Sequence, residues 1–152
     1  MIETLSDPGA GASQADEVLA RRAASIALQL AGRDPEEAGL TVVLTDDEGI
    51  ARLNEQYRGV RGPTDVLSFE AEAGFPGMED EMGGYLGDVV VSLPRAREQG
   101  ASAGHGAEHE LALLVAHGTL HLLGHDHAGG PGKTKMWALQ EQVACGAVVE
   151  PT

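Results

Sequence analysis

"HGTLHLLGHDH", residues 117–127, holds four histidines in eleven residues. His117 and His121 are four apart, which on an α-helix puts both side chains on one face with Cβ atoms about 5–6 Å apart. Both imidazoles can therefore aim a nitrogen at one metal ion. Gly124 then stops the helix and tolerates a positive φ, so the chain reverses and His127 swings back to the same ion. Three neutral imidazoles leave the fourth tetrahedral position open, the mark of a catalytic rather than a structural zinc site. His125 would replace His127 as third ligand if the helix ran on, and Gly124 argues against that. Asp126, beside the third histidine, is placed to orient a ligand ring or stand at the rim of the site. The expected set is one zinc ion per chain on His117, His121 and His127.

Gly118 is the departure that matters. In the zinc-peptidase pattern H-E-x-x-H this position carries the glutamate base. Histidine spacing alone supports a peptidase or amidase, but no other acid lies on this helical turn. A phosphodiester asks for something different. It already carries negative charge, and its pentacovalent phosphorane needs cationic stabilisation, which zinc and an arginine can supply. Zinc would also lower the pKa of bound water towards ~7. An attacking ribose 2′-OH is the other nucleophile open to such a site.

Working outward, residues 107–123 form a helix whose Leu111, Leu114, Val115 and Leu122 face the core. A closing helix over about 133–145 carries Met136, Leu139 and Val143. Upstream, Leu19, Ala23, Ile26 and Leu30 recur at helical spacing, with Ser13 and Asp16 set as a capping box. "LTVVL" (40–44) is a short β-branched strand. Thr45 and Glu48 form a second capping-box pattern before a helix with Ile50, Leu53 and Tyr57 on one face. "TDVLSFEAE" (64–72) and "YLGDVVVSL" (85–93) pair as antiparallel strands across the acidic connector 74–84. Pro94 and "EQGASAG" read as an interruption before the histidine helix. His105 and His109, four apart among Gly and Ala, read as solvated. The order β-α-β-α-β-β-α-α gives one α+β (mixed α/β) domain over 1–152, with residues 1–15 loose after a short apolar start at Ile2–Leu5.

Composition narrows the class. No apolar run approaches the ~18 residues of a membrane span. "MIETLSDPGAGASQ" has neither a basic nor an apolar leader region. A single cysteine, Cys145, suits a reducing compartment and reads as a small hydrophobe near a helix end, not a catalytic thiol. The expected location is the cytoplasm. A formal charge of −14 argues against whole-surface binding to nucleic acid or anionic lipid. Arg52, Arg58, Arg61, Arg95 and Arg97 nevertheless supply half of the 10 Lys and Arg from the middle of the chain, leaving room for a local basic groove.

The 117–127 stretch resembles the signature of the YbeY-type endoribonucleases, bacterial rRNA-maturation factors, written H-G-x-L-H-L-x-G-Y-D-H. "LNEQYRGVRGPTDVLSF" (53–69) is similar to the family block L-N-x-x-Y-R-x-x-x-x-P-T-D-V-L-S-F, "LGDVVVS" (86–92) to L-G-D-I-x-I-S, and "MWALQEQV" (136–143) to M-x-x-L-Q-E. The likeness covers roughly residues 40–145. His125 stands where the family usually has tyrosine, and the Gly/Ala-rich N-terminus where it has a clear first strand.

The resemblance implies a small mixed four-stranded sheet flanked by four to five helices, with a zincin-like metal site at the mouth of a cleft. It implies a zinc-dependent, single-strand-specific endoribonuclease acting in 16S rRNA 3′-end maturation and ribosome quality control. Arg58, in "QYRG", corresponds to the family's cleft arginine, and its planar fork suits phosphate oxygens. Thr64 and Ser68 can line the cleft. With so acidic a body, help in reaching RNA is expected from the small ribosomal subunit or its assembly factors, such as a ribosomal protein or a GTPase. The non-enzymatic alternative is an assembly factor whose zinc stabilises the fold.

Overall fold

The β-branched run at Val42 becomes the interior of a sheet. The computed structural model describes residues 2–70, 85–124 and 130–148. The acidic connector 74–84, the residues His125, Asp126 and His127, and the side chain of Met136 lie outside the described residues. Along the chain come β1 (Ile2–Ser6), a 3-10 turn (Pro8–Ala10), α1 (Gln14–Leu30), β2 (Gly39–Thr45) and α2 (Asp47–Arg58). They are followed by β3 (Val66–Glu70), β4 (Tyr85–Ser92), α3 (Leu93–Ala103), α4 (Ala107–Leu122) and α5 (Gly130–Val148). The fold is α+β, as the element order predicts.

The strand order is β1-β2-β4-β3. β1 and β4 run parallel to β2, while β3 pairs antiparallel with β4 and forms an edge. β2 is covered on both faces, so its residues read as a continuous apolar run with no alternation. Leu40, Val42 and Leu44 of β2, with Val89 and Val91 of β4, join the main core with α1, α4 and α5. Leu67 and Val90 point the other way, where Ile50 of α2 covers them and Val43, Leu53 and Phe69 flank. The sheet thus carries α2 on one face and the histidine helix on the other.

Four local expectations are corrected. The N-terminal segment is not loose. β1 pairs with β2 in register from Ile2↔Leu40 to Ser6↔Leu44, and the Asp7 N–H extends the pairing by donating to the Leu44 carbonyl at 2.9 Å. Sheet pairing supplies the order that local composition does not. Residues 93–103 are helical rather than an interruption. Pro94 sits in the first turn, where its missing N–H has no intrahelical partner to lose, and the Ser92 hydroxyl caps the end by accepting from the Arg95 N–H.

The third correction is the cap of α2. It is Asp46, whose carboxylate accepts from the Gly49 N–H at 2.7 Å. Thr45 instead donates its hydroxyl to Asp7 at 2.6 Å, tying β2 to the turn after β1. The Ser13–Asp16 capping box forms as expected, and Gly124 follows α4 with φ +89. Cys145 is exposed rather than packed.

Candidate active site

α4 is buried almost all round, and two of its three histidines, His117 and His121, emerge at the C-terminal half. His117 is half-buried and His121 exposed. Their rings lie 6.4 Å apart between centroids and within 14° of parallel. Both line a cavity of about 380 Å³ whose other walls include Arg58, Thr64, Asp65 and Ser68.

The sequence explains how each wall gets there. Ser68 and Leu67 are neighbours on edge strand β3 and therefore face opposite sides. Leu67 joins the α2 side, whereas the Ser68 hydroxyl donates to the Gly118 carbonyl of α4 at 3.0 Å. Gly118 is what permits that closeness. A Cβ there would stand 2.5 Å from Val89 Cγ1 and 3.1 Å from Ser68 Oγ. Position 118 faces the sheet and is filled by β4. The peptidase glutamate is thus sterically excluded, not merely missing.

Arg58 is the last residue of α2, on the far face of the sheet, yet it lines the histidine cavity. Gly59 makes the bend with φ +67, a left-handed conformation that favours glycine. Asn54 is 3% exposed and donates from Nδ2 to the Gly62 carbonyl at 3.0 Å, pinning the following turn. Edge strand β3 is therefore flanked by α2 on one side and by the guanidinium and imidazoles on the other.

Gln140 of α5, 5% exposed, accepts a hydrogen bond from His117 Nδ1 through Oε1 at 2.9 Å. A neutral imidazole protonated at Nδ1 carries its lone pair at Nε2. This contact thereby selects the tautomer in which Nε2 can bind a metal or accept a proton.

On the other side of His117 lies a larger cavity of about 730 Å³, which shares Asp65, Val66 and His117 with the first. His105 and His109 are not simply solvated. His105 Nε2 is 2.7 Å from Glu110 Oε1, and His109 Nε2 is 3.3 Å from Glu141 Oε2. Their rings are 4.6 Å apart.

Among the described residues, Arg58 is the arginine that lines the histidine cavity. Arg95 is held 3.2 Å from Asp47, Arg97 3.2 Å from Asp16, and Arg61 4.0 Å from Glu55. The Ser92 hydroxyl, and secondarily Arg95, hold the Asp47 carboxyl below its ordinary value, against a smaller opposing effect of burial.

Two imidazoles on successive turns, one with its tautomer fixed from behind, form a donor pair suited to a borderline-soft divalent ion. Among the described residues no group of three His, Cys, Asp or Glu side chains is arranged to hold one. His127, the expected third ligand, and Asp126 lie outside them. Sequence reading passed over Gln140 and Asp65. The signal for Gln140 was an amide beside Leu139 in the closing helix. Asp65 was visible only as part of "TDVLSF", with nothing local to mark it.

The family model described as Endoribonuclease YbeY matches residues 10–146. An Endoribonuclease YbeY of Pelotomaculum thermopropionicum is 46% identical over 127 residues, covering 82% of each chain. That of Heliobacterium modesticaldum is 38% identical over 133 residues, 84% of this chain and 80% of the other. That of Symbiobacterium thermophilum is 42% identical over 138 residues, 86% and 85% of the two chains. Among solved structures, the solution structure of TM1509 from Thermotoga maritima superposes with TM-score 0.63 at 27% identity, covering 97% of this chain and 89% of that one.

Proposed function

The chain belongs to the endoribonuclease YbeY family, and from that premise we propose that it is a zinc-dependent, single-strand-specific endoribonuclease that trims the 3′ end of 16S rRNA and serves ribosome quality control. The observation that carries the reading is the pairing in one small cavity of Arg58 and the hydroxyl-bearing Thr64 and Ser68 with His117 and His121. The cavity offers the Arg58 guanidinium for phosphate oxygens on one wall and imidazole nitrogens on the other.

His117, His121 and His127 are the residues that would hold the ion, one per chain, with Asp126 orienting the third ring. A divalent ion bound there supplies Lewis-acid polarisation of a phosphoryl oxygen and acidifies water. The rest of the chemistry falls to the chain. Arg58 binds two phosphate oxygens through its fork and offsets the charge that grows on them as the phosphorane forms. Gln140 keeps the His117 proton on Nδ1. Ser68 and Gly118 clamp α4 to edge strand β3, fixing the distance between the histidines and the arginine wall. Asp65, which lines both cavities, is the carboxylate among the described residues positioned to take a proton from an attacking hydroxyl.

The packing of position 118 against Val89 speaks against the peptidase alternative. Partners follow from charge: a chain of net −14 gains little from long-range attraction to RNA, so docking on the small ribosomal subunit or an assembly factor would deliver the substrate. Among the described residues no helix is long and apolar enough to cross a membrane. Cytoplasmic location belongs to the same proposal.

The test is cleavage of a labelled single-stranded RNA beside a duplex of the same sequence and a casein-type peptide substrate. Cutting of the single strand alone is expected, and cutting of peptide alone would overturn the reading. Metal content of His127→Ala and His125→Ala proteins checks the ligand set. Loss in the first and retention in the second is expected, and the reverse result would make His125 the ligand.

A further inference from the structure

We propose that the larger cavity is a nucleobase subsite, taking an amino-bearing base, guanine best, from the nucleotide next to the scissile phosphate. This rests on the endoribonuclease reading of the neighbouring cavity. The two cavities meet at Asp65, Val66 and His117, so a chain crossing one enters the other. Their charge balance differs. The smaller sets Arg58 against the shared Asp65 and can seat an anion at the guanidinium. The larger carries Glu110 and Glu141 beside Asp65, and like charge repels a phosphate there. A neutral, flat group meets no such repulsion.

The walls fit a base. Leu113 and Leu114 give an apolar surface for a ring face, and Gln99 contributes an amide that both donates and accepts. A volume of about 730 Å³ is in the range of small-molecule sites, about 300–1,000 Å³. Each carboxylate is held by a histidine: Glu110 by His105 at 2.7 Å and Glu141 by His109 at 3.3 Å. Each uses one oxygen in that contact and has a second with which to accept. Ionised carboxylates only accept, so they select base edges rich in N–H. Guanine presents an amino group beside a ring N–H and matches a carboxylate with two donors; adenine and cytosine offer one amino group each. Uracil sets its single N–H between two carbonyl oxygens, which a carboxylate repels. His105 and His109, which the nuclease chemistry does not use, thereby acquire a role in substrate selection.

Two measurements decide it. In the first, metal-loaded protein cuts a random-sequence single-stranded RNA pool and the new ends are sequenced. Guanine should exceed uracil at one position flanking the cut by roughly fivefold to a hundredfold, the discrimination of a two-point base contact. Glu141→Gln, which leaves His109 an acceptor, and Gln99→Ala should each bring that ratio below about half its wild-type value. A flat profile, or one unchanged in both variants, would overturn the subsite. In the second, metal-stripped protein is titrated with guanosine or uridine, free of phosphate, and followed by amide NMR. Shifts at Gln99 and His105 with guanosine but not uridine support the subsite, and no difference between the two nucleosides overturns it. Should the RNA pool remain uncut while guanosine still shifts those amides, the cleavage reading fails and the subsite stands.

Discussion

Replacing Gln140 by leucine removes the carbonyl that receives the His117 Nδ1 proton while leaving a side chain of similar size. Gln140 is 5% exposed and 2.9 Å from the ring nitrogen, so water has little access to take its place from the α5 side. Two effects follow. The Nδ1–H loses its acceptor, which for a buried donor costs about 1–3 kcal/mol; His117 is half-buried, so the lower end applies. The ring also loses its tautomer preference, and loss of such a supporting partner weakens metal binding by about 10–100-fold, about 1.4–2.8 kcal/mol at 1.4 kcal/mol per decade. Competition with a zinc chelator reads the affinity. Nitrogen-15 NMR of metal-free protein reads the tautomer, with the His117 proton on Nδ1 in wild type and redistributed in Gln140→Leu. Gln140→Glu keeps an acceptor and should restore both readouts. An unchanged zinc affinity in Gln140→Leu, with the Nδ1–H tautomer still in place, would refute the role assigned to this contact.

Arg58→Glu reverses the one arginine among the described residues that lines the histidine cavity; it should abolish RNA cleavage with bound metal retained, checked by elemental analysis of the same sample. Gly118→Ala forces a methyl into Val89, a strain of about 1–3 kcal/mol set against about 1 kcal/mol regained from helix propensity, so urea denaturation should show a net loss of up to about 2 kcal/mol, and a gain would contradict the packing described. Asp47 titrates below its ordinary 3.8 in the folded chain. Because the folded pKa is the lower one, its contribution is complete above 3.8 and is lost as pH falls through the folded value. Asp47→Asn should therefore shallow the acid limb of the pH–stability curve below about pH 4, and an unchanged limb would contradict the pairing with Ser92 and Arg95.

The sequence carried most of the fold because its signals were local and repetitive. α1 announced itself by a capping box and helical spacing, and β3 and β4 by short β-rich runs across an acidic connector. What escaped was non-local. Nothing within Ile2–Ser6 reveals the parallel partner β2, and nothing in "LPRAREQGASA" overrides the look of an interruption until Ser92 is seen to cap it. At the site, His117 and His121 were legible because helical periodicity alone puts them together. Gln140 lies 23 residues from His117, and Arg58 reaches the cavity only because α2 ends at edge strand β3. Gly118 was read as an absence, and only the position of Val89 turns that absence into a packing requirement.

The most direct test strips the protein with a chelator, confirms the loss of metal, and follows cleavage of a single-stranded RNA before and after one equivalent of zinc is returned. The account predicts an inactive stripped protein whose cutting returns with the ion. Cutting at full rate by metal-free protein, with the ion adding nothing, would contradict it.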